Sequence, residues 1–194
     1  MKKTKFMALL MGSLIVMPVV SSCGDDDEDV TPDAPGLTDN YGSSRVKFVA
    51  TCNPTLAEVA NVTVTVKSAL NSQTFTLGSK GRASYNYGTS VVPAEYHVTF
   101  DVKYKDGYVP EPGKTYDLEM AYTFEMKMYD KEDNLMKGES TVEGGWNLID
   151  IKGVEADQLE AFFTSYLSEI FPLTYDFGIY KTQNGGYEMK YPVE

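Results

Sequence analysis

The chain has 194 residues and a formal net charge of −11, with 28 acidic residues against 17 Lys and Arg and one histidine. So acidic a surface repels phosphate backbones and offers no basic patch, which excludes nucleic acid as a partner. One histidine excludes a multi-histidine metal centre, and no cofactor-binding motif is present: there is no P-loop, no dinucleotide fingerprint and no Gly-x-Ser-x-Gly.

The first 22 residues read as a cleaved leader. Lys2, Lys3 and Lys5 form a basic start, and residues 6–20 form an apolar run. That run falls short of the roughly 20 apolar residues a spanning helix needs. It ends in Val20-Ser21-Ser22-Cys23, followed by Asp25, Asp26, Asp27, Glu28 and Asp29. The first four resemble a lipobox, and the combination resembles the surface lipoproteins of Bacteroidota. The resemblance implies a diacylglycerol thioether on Cys23, cleavage just before it, and an acidic run that directs the protein to the outer face of the outer membrane. The membrane is then a partner through acyl chains alone, each buried CH₂ contributing about 0.8 kcal/mol. Removing residues 1–22, with their three lysines and no acids, takes the charge from −11 to −14. Anionic headgroups repel such a body.

Residues 23–44, rich in Asp, Pro, Gly and Ser, read as a tether, and 45–194 as a single β-rich domain. Residues 45–51 alternate Val46, Phe48 and Ala50 with Lys47, Val49 and Thr51. Residues 61–67, 73–77, 83–87 and 96–104 repeat the period of two, with turn residues between them. The clearest strand is 116–128. Tyr116, Leu118, Met120, Tyr122, Phe124, Met126 and Met128 share one face, and the other is polar save for Ala121. The polar turn 130–134 predicts a return strand over 135–142, with another over 146–151. Leu159, Phe162, Phe163, Tyr166, Leu167 and Ile170 make one helical stripe, predicting an amphipathic helix near 156–171 with Asp157 or Glu155 at its start and Pro172 at its end. Strands over 175–181 and 187–191 close the chain across Asn184-Gly185-Gly186.

This order predicts a mainly β fold, an antiparallel sandwich with one carboxy-terminal helix and a closing hairpin; a lipocalin-like barrel is the alternative. Residues 62–100, through Thr74-Phe75-Thr76-Leu77, Lys80-Gly81-Arg82-Ala83 and Val92-Pro93-Ala94-Glu95-Tyr96-His97-Val98, resemble prealbumin-like and Ig-like surface modules. That resemblance implies a sandwich and no activity.

Little points to catalysis. His97 shares a polar strand face with Thr99 and Asp101, so a triad has one place only to form. Carboxylate-pair hydrolysis needs no histidine, but the acids sit mostly in the tether, in turns and on solvated faces. The turn 130–134 gathers oxygens yet lacks EF-hand spacing and its glycine. Cys52, left without a partner once Cys23 carries lipid, reads as a small buried hydrophobe. Among fourteen tyrosines, Tyr85, Tyr87, Tyr104 and Tyr108 are the candidate ligand-facing side chains, since aromatic rings stack on sugars. Arg45, one of two arginines, gives a layout that resembles Bacteroidota fimbrial subunits, in which a lipoprotein precursor is cut after an arginine and a groove accepts a donor strand. The expected function is a non-enzymatic, lipid-anchored binding or accessory protein with a glycan or protein partner. A fimbrial subunit processed near Arg45 and a lipocalin-like carrier are the alternatives.

Overall fold

A computed structural model of the chain describes residues 40–79, 81–138 and 140–192. Cys23 and the acidic run from Asp25 to Asp29 lie outside them. The described residues form nine strands: β1 (Tyr41–Cys52), β2 (Ala60–Ser68), β3 (Ser72–Thr76), β4 (Arg82–Thr89), β5 (Ala94–Tyr104), β6 (Thr115–Asp130), β7 (Thr141–Glu155), β8 (Leu173–Lys181) and β9 (Tyr187–Lys190). They make two antiparallel sheets, ordered β4-β1-β6-β7 and β3-β2-β5-β8-β9. The fold is a β-sandwich, and no barrel closes. The barrel alternative fails because each sheet ends in its own edge strands, so no ladder joins one sheet to the other.

Strict alternation is what makes two such sheets face each other. All seven residues of the apolar face of β6, at alternate positions from Tyr116 to Met128, are buried. Opposite them β2 supplies Val62, Val64 and Val66, and β5 supplies Tyr96, Val98, Phe100 and Val102, all buried as well. A one-residue slip of any of these strands would turn its whole apolar set into water, so burial of one face fixes the register. The sheets meet through rings. Phe177 of β8 lies 4.8 Å from Phe48 of β1 and 4.9 Å from Phe124 of β6, and Phe100 lies 4.9 Å from Tyr122, centroid to centroid. Pairs at this range contribute about 0.5–1.5 kcal/mol beyond area burial.

Three elements depart from the sequence expectation. β1 begins at Tyr41, inside the stretch read as tether, because residues 41–44 continue its ladder with β6. The return strand does not form over 135–142. Leu135 makes a single bridge to Tyr129, and β7 begins at Thr141 and runs unbroken through Gly144 and Gly145. These glycines look like a break in sequence, yet each is required by close packing. A Cβ on Gly144 would sit 2.8 Å from the Phe124 ring, and one on Gly145 would sit 2.5 Å from the Tyr122 carbonyl oxygen. A short helix, α1 (Pro54–Val59), follows β1. Asn53 caps it by accepting from Leu56 N–H at 2.9 Å, and Pro54 supplies the preset φ of a first turn.

The carboxy-terminal helix is confined to 159–170 and has a π-helical centre, Phe162–Leu167, where Ser168 N–H reaches back to the Phe163 carbonyl. Thr164 and Ser168 hydroxyls donate to the carbonyls four residues earlier, which loosens an α ladder. Gln158 stands at its start without a side-chain cap, so neither Asp157 nor Glu155 serves there. Of the stripe, Leu159, Phe163 and Leu167 are buried; Tyr166 and Ile170 are exposed.

Among the described residues, Tyr122 Oη is buried without a hydrogen-bond partner, and burial pushes its ionisation well above the usual tyrosine range. An unsatisfied buried hydroxyl costs about 1–3 kcal/mol. Tyr122→Phe is therefore expected to raise the free energy of unfolding by about 1 kcal/mol in urea titration; a loss of stability would show that the hydroxyl is satisfied in solution.

Candidate functional site

The outward face of the four-stranded sheet is a shallow trough. Its side chains alternate with the core residues, so register alone sets the rows that cross it. One row is Asn86, Lys47, Glu125 and Glu143; the next is Ser84, Val49, Thr123 and Gly145; the third is Arg82, Thr51, Ala121 and Asn147. The second and third rows hold small side chains on the middle strands, and Val49, although outward, is only 9% exposed. Larger side chains stand on the flanking strands in the first and third rows, at Asn86, Arg82, Glu143 and Asn147.

Three hollows of about 460, 690 and 350 Å³ follow this face, joined through the linings they share. Thr51 and Ala121 are common to the first two, and Lys47 and Glu125 to the last two. At about 3.3 Å per residue, the stretch of β1 beneath them is roughly 25 Å long. Two bulges bend the β6–β7 pair beside the trough. β7 places Leu148 between the partners of Met120 and Ala121, and sets Lys152 and Gly153 opposite Asp117. Gly153 takes φ +68, and its N–H donates to Asp117 Oδ1 at 2.9 Å.

Charge is divided across the width. Lys47 of β1 and Arg82 of β4 line one side of the largest hollow; Glu125 of β6 and Glu143 of β7 line the other. Neither Lys47 nor Arg82 has an ion-pair partner among the described residues, whereas Lys127 binds Glu125 at 2.8 Å and is held above its ordinary pKa by that bond. At one end Lys152 pairs with Glu119 and Asp150. At the other, the Arg45 guanidinium bonds Asp133 at 2.5 Å and rests 4.2 Å above the Tyr129 ring. These exposed pairs add little to stability. Both arginines of the chain thus stand on this one face.

The residues singled out by sequence fall elsewhere or take other roles. Tyr85 is buried in the core, and Tyr87 packs beside it against Tyr96, with ring centroids 6.2 Å apart in both contacts. Tyr104 and Tyr108 belong to a separate cluster. Tyr104 packs on Phe163, and the Tyr108 hydroxyl donates to Glu58 Oε1 at 2.9 Å. The four make no exposed aromatic platform, because inward alternation and local packing use their faces. Arg45 is not at a strand start. It lies within β1, paired with Gly88 on one side and Lys127 on the other. A cut there would divide a strand laddered to β4 along one edge and to β6 along the other.

His97 is exposed, with Nδ1 2.6 Å from Asp176 Oδ1. The neighbouring Thr99 hydroxyl is bonded to Thr174 at 2.9 Å, so no nucleophile is held against the imidazole. In the turn 130–134, Asp130 Oδ1 accepts from the backbone N–H of Glu132 and Asn134, which closes the turn with protein groups. The trough has no motif of its own in the sequence; its signal is Val49 and Ala121, the apolar departures from two otherwise polar faces.

No protein-family model, curated protein or solved structure matches the chain. Cys52 lines the hollow beside Asn53 and Glu119, half-buried, and burial raises its thiol pKa. A raised pKa leaves less thiolate at any given pH. Alkylation of Cys52 by iodoacetamide near pH 8, followed on its proteolytic peptide by mass spectrometry, is expected to run slower in the folded protein than in urea; equal rates would contradict the burial.

Proposed function

We propose that the chain is a lipid-anchored, extracytoplasmic binding protein without catalytic activity, holding a hydroxyl-rich ligand of the glycan class along the trough. The observation that carries this reading is the division of the largest hollow, with unpaired Lys47 and Arg82 on one side and Glu125 and Glu143 on the other. A hydroxyl is both donor and acceptor, so a sugar laid across the floor donates to the carboxylates and accepts from the cations at once. Thr51, Thr123, Ser84 and Asn147 add neutral polar groups at intervals fixed by the sheet, and the low floor admits a chain-like ligand lengthwise. Anchoring is argued from Val20-Ser21-Ser22-Cys23 and the acidic residues after it.

Two experiments test the two halves. Purified protein is titrated against neutral and acidic polysaccharide fractions. Ala121→Arg, which fills the floor from a half-buried, outward-facing position, is expected to weaken binding about tenfold or more with little change in Tm. Lys47→Ala and Arg82→Ala should weaken it too. Undiminished binding by Ala121→Arg, or no binding to any fraction, would overturn the trough as a glycan site. For the anchor, Cys23→Ala is expected to move the protein out of the membrane fraction, and mass spectrometry of the wild type should show an acylated amino-terminal cysteine. Retention of the variant or an unmodified thiol would overturn the anchor.

A further inference from the structure

We infer that the end of the sandwich at which the chain enters rests on a lipid surface, with Leu70, Val91 and Leu135 inserted at the headgroup boundary. The inference rests on the anchored reading above and adds a contact made by the folded domain itself.

Four loops converge at that end, and three of them carry an exposed aliphatic side chain; the fourth, the β8–β9 turn, is polar. β1 starts there, with Asn40 accepting from Lys131 N–H at 3.0 Å and Tyr41 Oη donating to the Thr89 carbonyl at 3.4 Å. The β2–β3 turn, the β4–β5 connection and the β6–β7 connection surround the entry point, as the antiparallel registers require. Each presents one large aliphatic side chain to water: Leu70 is 71% exposed, Val91 57% and Leu135 49%. Leu70 and Val91 border the same small hollow, with Pro93 beside them. Single apolar residues on a surface are ordinary. Three on three separate loops around one point of chain entry form a pattern that local folding does not require.

Chain connectivity puts this end nearer the lipid than the other. Cys23 is 17 residues before Asn40, so the lipid can be no farther than about 60 Å from this end, even with the link fully drawn out. The opposite end is a strand length beyond, roughly 40 Å for the twelve residues of β1. Charge selects the kind of contact. A mature chain at −14 gains nothing from anionic headgroups, which leaves aliphatic insertion as the favourable term. An internal control is present: Val109, 82% exposed on the β5–β6 connection, lies at the far end.

The test uses the chain from residue 23 onward, with Cys23→Ser and Cys52→Ser, held on phosphatidylcholine vesicles through an amino-terminal hexahistidine and a nickel-chelating lipid. A polarity-sensitive fluorophore is placed in turn at Leu70→Cys, Val91→Cys, Leu135→Cys and Val109→Cys. The first three labels should shift to the blue and be quenched by a quencher embedded in the acyl region, and the label at 109 should do neither. Loop labels that behave like the one at 109 would overturn the inference. In a second arm the untethered triple variant Leu70→Asp, Val91→Asp, Leu135→Asp should partition onto vesicles of phosphatidylcholine alone about tenfold more weakly than the parent; equal partitioning would also overturn it. Because the histidine tag replaces the acyl anchor, a failure of these loops is separate from a failure of Cys23 acylation, which mass spectrometry reads alone.

Discussion

Everything in the sandwich depends on the ring contacts between Phe177 and the pair Phe48 and Phe124. They join the central strands of one sheet to the fourth strand of the other. Trp146 extends the stack outward, lying 5.6 Å from Phe124 with its plane nearly parallel and 5.2 Å from Tyr122. Truncating a ring in such a place costs about 3–5 kcal/mol, a large part of the stability of an ordinary domain. By comparison, the exposed ion pairs on the outer faces contribute little. The aromatic layer therefore decides whether the fold exists, and the outer faces are left free to vary.

That freedom is what makes the trough informative. A solvent-facing sheet surface normally carries long polar side chains throughout, since they solubilise it without cost to the core. Here the middle rows carry Val49, Ala121, Thr123 and Gly145 instead. Core packing asks for glycine at 145, where the Tyr122 carbonyl leaves no room for a Cβ, but it makes no such demand at 121. The low floor is thus partly imposed by packing and partly a choice of residue. The choice is what argues for a ligand.

How much could be read from sequence follows from how local each determinant is. The period of two in β6 is local and strong, and its whole inward face, from Tyr116 to Met128, is in the core. Mainly β character, two antiparallel sheets and the closing hairpin came from such signals. The path of β7 did not, because Gly144 and Gly145 are strand residues only in the presence of Phe124 and Tyr122, which lie some twenty positions earlier. The helix stripe is legible, but nothing in its spacing marks the π-helical centre over Phe162–Leu167. For the same reason Tyr85 and Tyr87 looked like surface rings. Composition counts tyrosines; only the register shows which way they face.

One consequence follows from the bulges in β7. A fifteen-residue strand with a single laddered side, as this one is among the described residues, is a ready template for its own copies. The extra residue at Leu148 and the Gly153 turn break the even spacing of its open donors and acceptors, and Asp150 and Lys152 put charge between the two breaks. A second molecule sliding alongside finds matching backbone for only a few residues before the rhythm fails. The same irregularity that shapes the trough thus also keeps neighbouring copies from growing into a continuous sheet.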